Sequence, residues 1–151
     1  MNVELMTDKF GGGIASVTTV HDEITVTARR DIVIPLLRFL KEDEEFACDF
    51  LTDLCGVDYL PESPRFRIVY HLYSLKHQHR LRVKVALEES DPVVDSCTSL
   101  WAGADWHERE CFDLFGIIFK GHPNLQRLLL PPDFVGHPLR KDFPLEGFKE
   151  P

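Results

Sequence analysis

The chain has 151 residues, enough for one domain with a buried core, and its apolar fraction of 44% is ordinary for a folded protein. Twenty-five acidic against 17 basic residues leave a formal net charge of −8, which argues against nucleic acid or an anionic lipid surface as a partner. No apolar run is long enough to span a bilayer, and the first ten residues lack the basic start and apolar stretch of a signal peptide. The expectation is a cytosolic chain that another chain would hold at a membrane. Cys48, Cys55, Cys97 and Cys111 form no Cys-x-x-Cys pair, so they read as reduced, structural thiols rather than as zinc or iron–sulfur ligands.

In chain order, Gly11-Gly12-Gly13 fails as a nucleotide loop. It leads into strand-like Ile14 to Val20, not into a helix, and reads as a flexible lead-in. A turn at His21-Asp22 precedes Ile24, Val26 and Ala28, which alternate with threonines as a second hairpin arm. Asp31 is a candidate cap for a helix carrying Val33, Leu36, Leu37 and Leu40, with Pro35 in its first turn and an end near Lys41. The acidic run Glu42 to Glu45 reads as a solvated face. Leu51 to Val57 has strand character weakened by Gly56.

The clearest pattern follows. Phe66, Ile68, Tyr70 and Leu72 alternate with Arg67, Val69, His71 and Tyr73, and Leu81, Val83, Val85 and Leu87 alternate with Arg80, Arg82, Lys84 and Ala86. This predicts an antiparallel hairpin turning at Lys76 to His79, one face on the core and one partly wet. His77 and His79 read as exposed turn residues rather than metal ligands. Asp91-Pro92 ends the pattern, Thr98 or Ser99 is a candidate cap, and a helix is expected over Ala104 to Phe115, closed by Gly116. The order predicts an α+β fold: a small antiparallel sheet with helices packed on one face over residues 1–120, then an extended irregular C-terminal arm over residues 121–151.

The second helix has an odd feature. At the helical period Trp101, Ala104, Glu108, Cys111, Phe112 and Phe115 share a face, whereas Trp106, Glu110 and Asp113 lie opposite. Glu108 thus sits in an apolar stripe, where a carboxylate needs a partner or a path to water. Arg127, Arg140 and Lys141 are the candidates in the arm. That arm carries two turn units, Gly121-His122-Pro123 and Gly136-His137-Pro138, and is rich in Leu, Phe and Pro. An irregular segment this apolar must pack on something, its own domain or a partner.

Glu108-Arg109-Glu110, Asp113 to Gly116, His122-Pro123, Arg127 and His137-Pro138-Leu139-Arg140-Lys141-Asp142, taken in fixed order, resemble the C subunit of proton-pumping NADH:quinone oxidoreductase, respiratory complex I. The likeness covers the last third of the chain closely and extends more loosely through Val57-Asp58-Tyr59 and Val69 to Ser74. It implies a cofactor-free scaffold of the peripheral arm on the cytoplasmic face, packed against the D subunit and near the iron–sulfur B and I subunits. NADH, FMN, the iron–sulfur clusters and quinone would then belong to the whole complex, and no metal or catalytic residue to this chain. Two departures bear on docking: Gln126 stands where a basic residue is expected, and the sequence ends at Pro151, where many relatives extend further, which implies less extensive docking. The alternatives are the equivalent scaffold of a complex I-like hydrogenase, or a free-standing enzyme built on His107 and Cys111. The latter is weak, because the His-Glu-x-x-His zinc motif lacks its second histidine and Cys111 falls in the apolar stripe.

Overall fold

A computed structural model describes residues 2–21 and 23–148, so Asp22 of the expected first turn and the last three residues of the arm lie outside the described residues. The chain opens with a short helix that the sequence did not predict, α1 (Glu4–Phe10), which buries Met6 and sets Phe10 edge-on against Phe39. Gly11–Gly13 is a 3-10 turn rather than a loose lead-in. A Cβ on Gly13 would stand 2.8 Å from Ile32 Cδ1, so the missing side chain is what lets this turn close.

Then follow β1 (Ile14–Val20), β2 (Glu23–Ala28), α2 (Val33–Glu42), β3 (Phe50–Asp58), β4 (Phe66–Ser74) and β5 (His79–Leu87). The strands form one sheet in the order β1-β2-β5-β4-β3. The β4–β5 hairpin is antiparallel as expected, with Ile68 opposite Val85 and Leu72 opposite Leu81. One ladder departs from an all-antiparallel sheet: β2 runs parallel to β5, from Ile24 beside Leu81 to Ala28 beside Val85. A parallel pair needs a long crossover, which α2, β3 and β4 supply.

The period-2 side chains decide the core face. Val26 and Ala28, then Phe66, Ile68, Tyr70 and Leu72, then Leu81, Val83, Val85 and Leu87 are all buried in one cluster with Val33, Leu36, Leu37 and Leu40 of α2. Pro35 lies in the first turn of α2, as its missing N–H requires. Asp31 does not cap that helix. Ile32 occupies the cap position without a side-chain bond, and Asp31 instead pairs with Arg29 at 2.8 Å.

Beyond the sheet, α3 (Ala104–Phe115) is flanked by β6 (Val93–Asp95) and β7 (Ile118–Lys120), which pair in parallel as a second, two-stranded sheet. Gly103, not Thr98 or Ser99, precedes α3, and no side chain caps it. α3 packs on edge strand β3. Gly56 makes this possible, since a Cβ there would be 2.8 Å from the Phe115 ring. From Gly121 to Phe148 the chain has neither helix nor strand.

Candidate functional site: the clamped C-terminal arm

Asp113 organises the arm. The helical wheel places it opposite the apolar stripe, yet its side chain is completely buried, because the arm covers that face of α3. Arg127 Nη1 donates to Asp113 Oδ1 at 2.7 Å. The backbone N–H groups of Leu128, Leu129 and Leu130 all donate to Oδ2, at 3.0, 2.7 and 2.9 Å. Burial by itself would push this carboxyl up; the guanidinium and the three N–H groups outweigh it and hold its pKa below the ordinary value. Arg127 also binds the carbonyls of Asp113, Phe134 and Gly136, so one guanidinium ties three points of the chain together.

The C-terminus of α3 is the second fastening. Gly116 turns the chain at φ 74°, a left-handed angle suited to glycine. A Cβ there would also lie 2.6 Å from His137 Nε2 and 2.7 Å from Arg140 Nη2. Those two side chains cross the helix end, His137 Nδ1 bonding the Asp113 carbonyl at 2.9 Å and Arg140 Nε donating to the Phe115 carbonyl at 2.7 Å. Cations and donors here meet the negative end of the helix dipole. Arg109 completes the set, donating to the backbone carbonyls of Gln126 and Arg127. Position 126, where a basic side chain was expected, thus contributes a main-chain acceptor.

The third fastening was not foreseen. Asp58 and Arg65, at the facing ends of β3 and β4, form a bidentate pair at 2.8 and 3.0 Å, with both side chains almost wholly buried. Arg65 extends to Asp142 of the arm and to Glu89. The Lys141 N–H donates to Asp58 Oδ2 at 2.8 Å, and Lys141 Nζ reaches the Leu60 carbonyl. Burial of Asp58 works against its charge, but Arg65 and the N–H groups of Lys141 and Leu60 hold its carboxyl well below the usual carboxylate range. In sequence, Arg65 carried no assigned role and Asp58 stood only within the looser family likeness. The one local sign was that Asp58 directly follows the strand-like Leu51 to Val57 and Arg65 directly precedes the alternation that starts at Phe66.

Glu108 is fully buried, but its partners are not the basic residues expected. Ser96 Oγ donates to Oε2 at 2.6 Å and the Cys97 N–H to Oε1 at 2.7 Å. Arg127, Arg140 and Lys141 are taken up by the fastenings just described. The nearest ring is His122, whose Nε2 is 4.0 Å away and lies 3.2 Å from Asp105 Oδ1. The Asn124 N–H donates to His122 Nδ1, which leaves Nε2 as the donor to the Asp105 backbone carbonyl at 3.2 Å. Burial therefore dominates at Glu108 and raises its pKa despite the two hydrogen bonds. The carboxylate pins the Ser96-Cys97 turn to α3. Glu110 and Pro123 are exposed and Pro138 is half-buried, outside these networks.

No nucleophile arrangement forms at His107 and Cys111. The Cys111 thiol is buried against the Leu54 carbonyl, and burial raises its pKa, while His107 turns to Asp53 at the sheet edge. The arm instead has two sides. Its polar anchors point inward, and Leu129, Val135, Leu139, Leu145 and Phe148 project outward, each more than half exposed. Phe143 stacks on Phe134 and meets Phe148 edge-to-face, which ties that display together.

Fold and site together define an α+β domain with a rigidly fastened, outwardly apolar C-terminal arm. Residues 26–149 match the family described as respiratory-chain NADH dehydrogenase, 30 Kd subunit, and the chain belongs to that family. It is 48% identical over 140 residues to the C subunit of NADH-quinone oxidoreductase from Citrifermentans bemidjiense, covering 93% of this chain and 86% of that protein. With the corresponding C subunit of Roseiflexus castenholzii it shares 52% over 123 residues, 82% of this chain and 71% of the relative. Among solved structures, the trypsin-resistant fragment of Nqo5 superposes with a TM-score of 0.71 at 33% identity, covering 82% of this chain and 96% of the fragment. A chain of an archaeal membrane-bound sulfane sulfur reductase superposes at 0.79 over 95% of this chain and 84% of its own, but at 21% identity, a likeness of fold alone.

Proposed function

We propose that this chain is a non-catalytic scaffold of the peripheral arm of proton-translocating NADH:quinone oxidoreductase, supporting electron transfer from NADH through iron–sulfur centres to quinone. The observation that carries this reading is the two-sided arm. Three buried polar fastenings hold an irregular segment rigid while a row of large apolar side chains faces outward. Apolar surface held stiff in this way loses little conformational freedom on docking, so burial by a neighbour yields a net gain. The D subunit would cover the arm, with the iron–sulfur B and I subunits close by. NADH, FMN, the iron–sulfur centres and quinone would be handled by other chains.

No helix of the described residues is long and apolar enough to cross a membrane, so placement on the cytoplasmic face would depend on those neighbours. The sequence identity to relatives named as C subunits of NADH-quinone oxidoreductase supports this assembly over the hydrogenase alternative.

The test is co-purification. Leu139→Asp, at a half-exposed position of the arm, should leave the melting temperature of the free chain unchanged and abolish recovery with the D subunit. Retained assembly in Leu139→Asp and Val135→Asp, or a lone chain with enzymatic turnover, would overturn the scaffold reading.

A further inference from the structure

The sheet face turned away from the core carries a group that neither the arm nor the scaffold role uses. A register shift between Leu51 and Asp53 sets Asp53 directly opposite His71 on β4, with Cys55 opposite Val69. Asp53 and Cys55 are two apart on the strand and share a side of the sheet. One carboxylate oxygen of Asp53, Sγ of Cys55 and one ring nitrogen of His71 all lie within 4.8 Å of one another, with Asp53 exposed and Cys55 and His71 half-buried. From α3, His107 Nδ1 approaches Asp53 Oδ1 at 3.4 Å.

We propose that Asp53, Cys55 and His71 form a binding site for a borderline-soft divalent cation of the Zn2+ type, with water in the fourth position and His107 holding Asp53 in place. A thiolate, an imidazole and a carboxylate are the ligand types such an ion selects. Bond lengths of about 2.0–2.3 Å in a tetrahedron place ligand atoms about 3.3–3.8 Å apart, so the side chains need to close by only about 1 Å. Two ligands stand on one strand and the third on its hydrogen-bonded neighbour, so the backbone fixes their spacing.

Arg82 faces His71 across the β4–β5 ladder and would repel a cation. Its guanidinium is bonded to Glu23 Oε2 at 2.8 Å and Thr25 Oγ1 at 3.3 Å, but its charge still reaches His71 and Cys55, and that of Lys84 reaches His71, so a bound cation is opposed by both. Glu110 adds negative charge near Cys55. Binding replaces the thiol S–H bond by an S–metal bond and releases the proton to solvent, leaving the ion's two charges balanced by Asp53 and Cys55. Cys55 thus departs from the other three cysteines, which are buried.

The test is titration of the full chain, stripped with chelator, with Co2+ and then Zn2+. One Co2+ per chain should bind, with visible bands of tetrahedral intensity and a near-ultraviolet sulfur-to-cobalt charge-transfer band, both displaced by Zn2+. Cys55→Ser should remove the charge-transfer band. His71→Ala and Asp53→Asn should each weaken binding by at least about tenfold. Melting curves confirm that each variant is folded, and Asp53→Asn, at an exposed position, serves if another is not. Absence of the charge-transfer band, its persistence in Cys55→Ser, or affinity unchanged in both other variants would overturn the site.

Discussion

Glu108 and Asp113 are two carboxylates on one helix, both fully buried, with opposite electrostatics. Asp113 has a guanidinium and three N–H donors, while Glu108 has one hydroxyl and one N–H and no cation in contact. The difference sets distinct outcomes for substitution. Glu108→Gln preserves an acceptor for the Cys97 N–H and can still bond Ser96, so the melting temperature at pH 7 should stay level or rise. Glu108→Ala leaves a buried N–H unsatisfied and should cost about 1–3 kcal/mol by chemical denaturation. Asp113→Ala strands the buried Arg127 contact and three N–H groups and should cost about 3–5 kcal/mol in the same measurement. Equal losses for both residues would contradict this division.

At the scale of elements, the end of α3 is where the arm is either seated or released. Gly116 combines a positive φ with two neighbouring side chains closer than a Cβ can tolerate. Gly116→Ala should therefore displace His137 and Arg140, loosen the arm and leave the sheet intact. Hydrogen exchange should show protection lost over residues 127–143 and kept in β4 and β5. Protection unchanged in the arm would show that the Asp113 and Asp58 networks hold it without the helix-end contacts. The sheet was legible from alternation in β2, β4 and β5, because period-2 burial is a local signal. The short strands β6 and β7 were not. Three residues carry too little periodicity, and their pairing depends on α3 bringing distant segments together.

For the whole molecule, the arm-to-domain ion pairs Arg127–Asp113 and Arg65–Asp142 both involve carboxyls with lowered pKa, Asp142 chiefly by its bond to Arg65, and Asp58, which shares Arg65, is lowered too. The sign follows from linkage. A carboxyl depressed in the folded state contributes stability that is present above its unfolded pKa, near ~4, and lost as pH falls through the folded value. Glu108 acts oppositely. Its raised pKa makes the folded state most favourable below the unfolded value, with that contribution lost as pH rises through the folded one. With Glu45 lowered as well, four depressed carboxyls against one raised carboxyl among the described residues predict a net fall in melting temperature below about pH 4, preceded by protease sensitivity in the arm. A melting temperature that rises monotonically on acidification would show that Glu108 outweighs the clamp.

Much was determined by the sequence alone. Alternation marked the core face of the hairpin, helical spacing bounded α3 at its observed residues, and the ordered set from Glu108 to Asp142 pointed to the family. Partners were decided only by the tertiary structure. A strand's alternation says which side is buried but not which strand lies beside it, so β2 alongside β5 was invisible. A helical wheel says which side of α3 is apolar but not what covers the other side, so Asp113 looked exposed and Glu108 looked in need of an arginine. Asp58 with Arg65, and Asp53 and Cys55 with His71, meet only because β3 pairs with β4. Contact between residues far apart in the chain depends on how the backbone closes in space, and local periodicity carries no record of that.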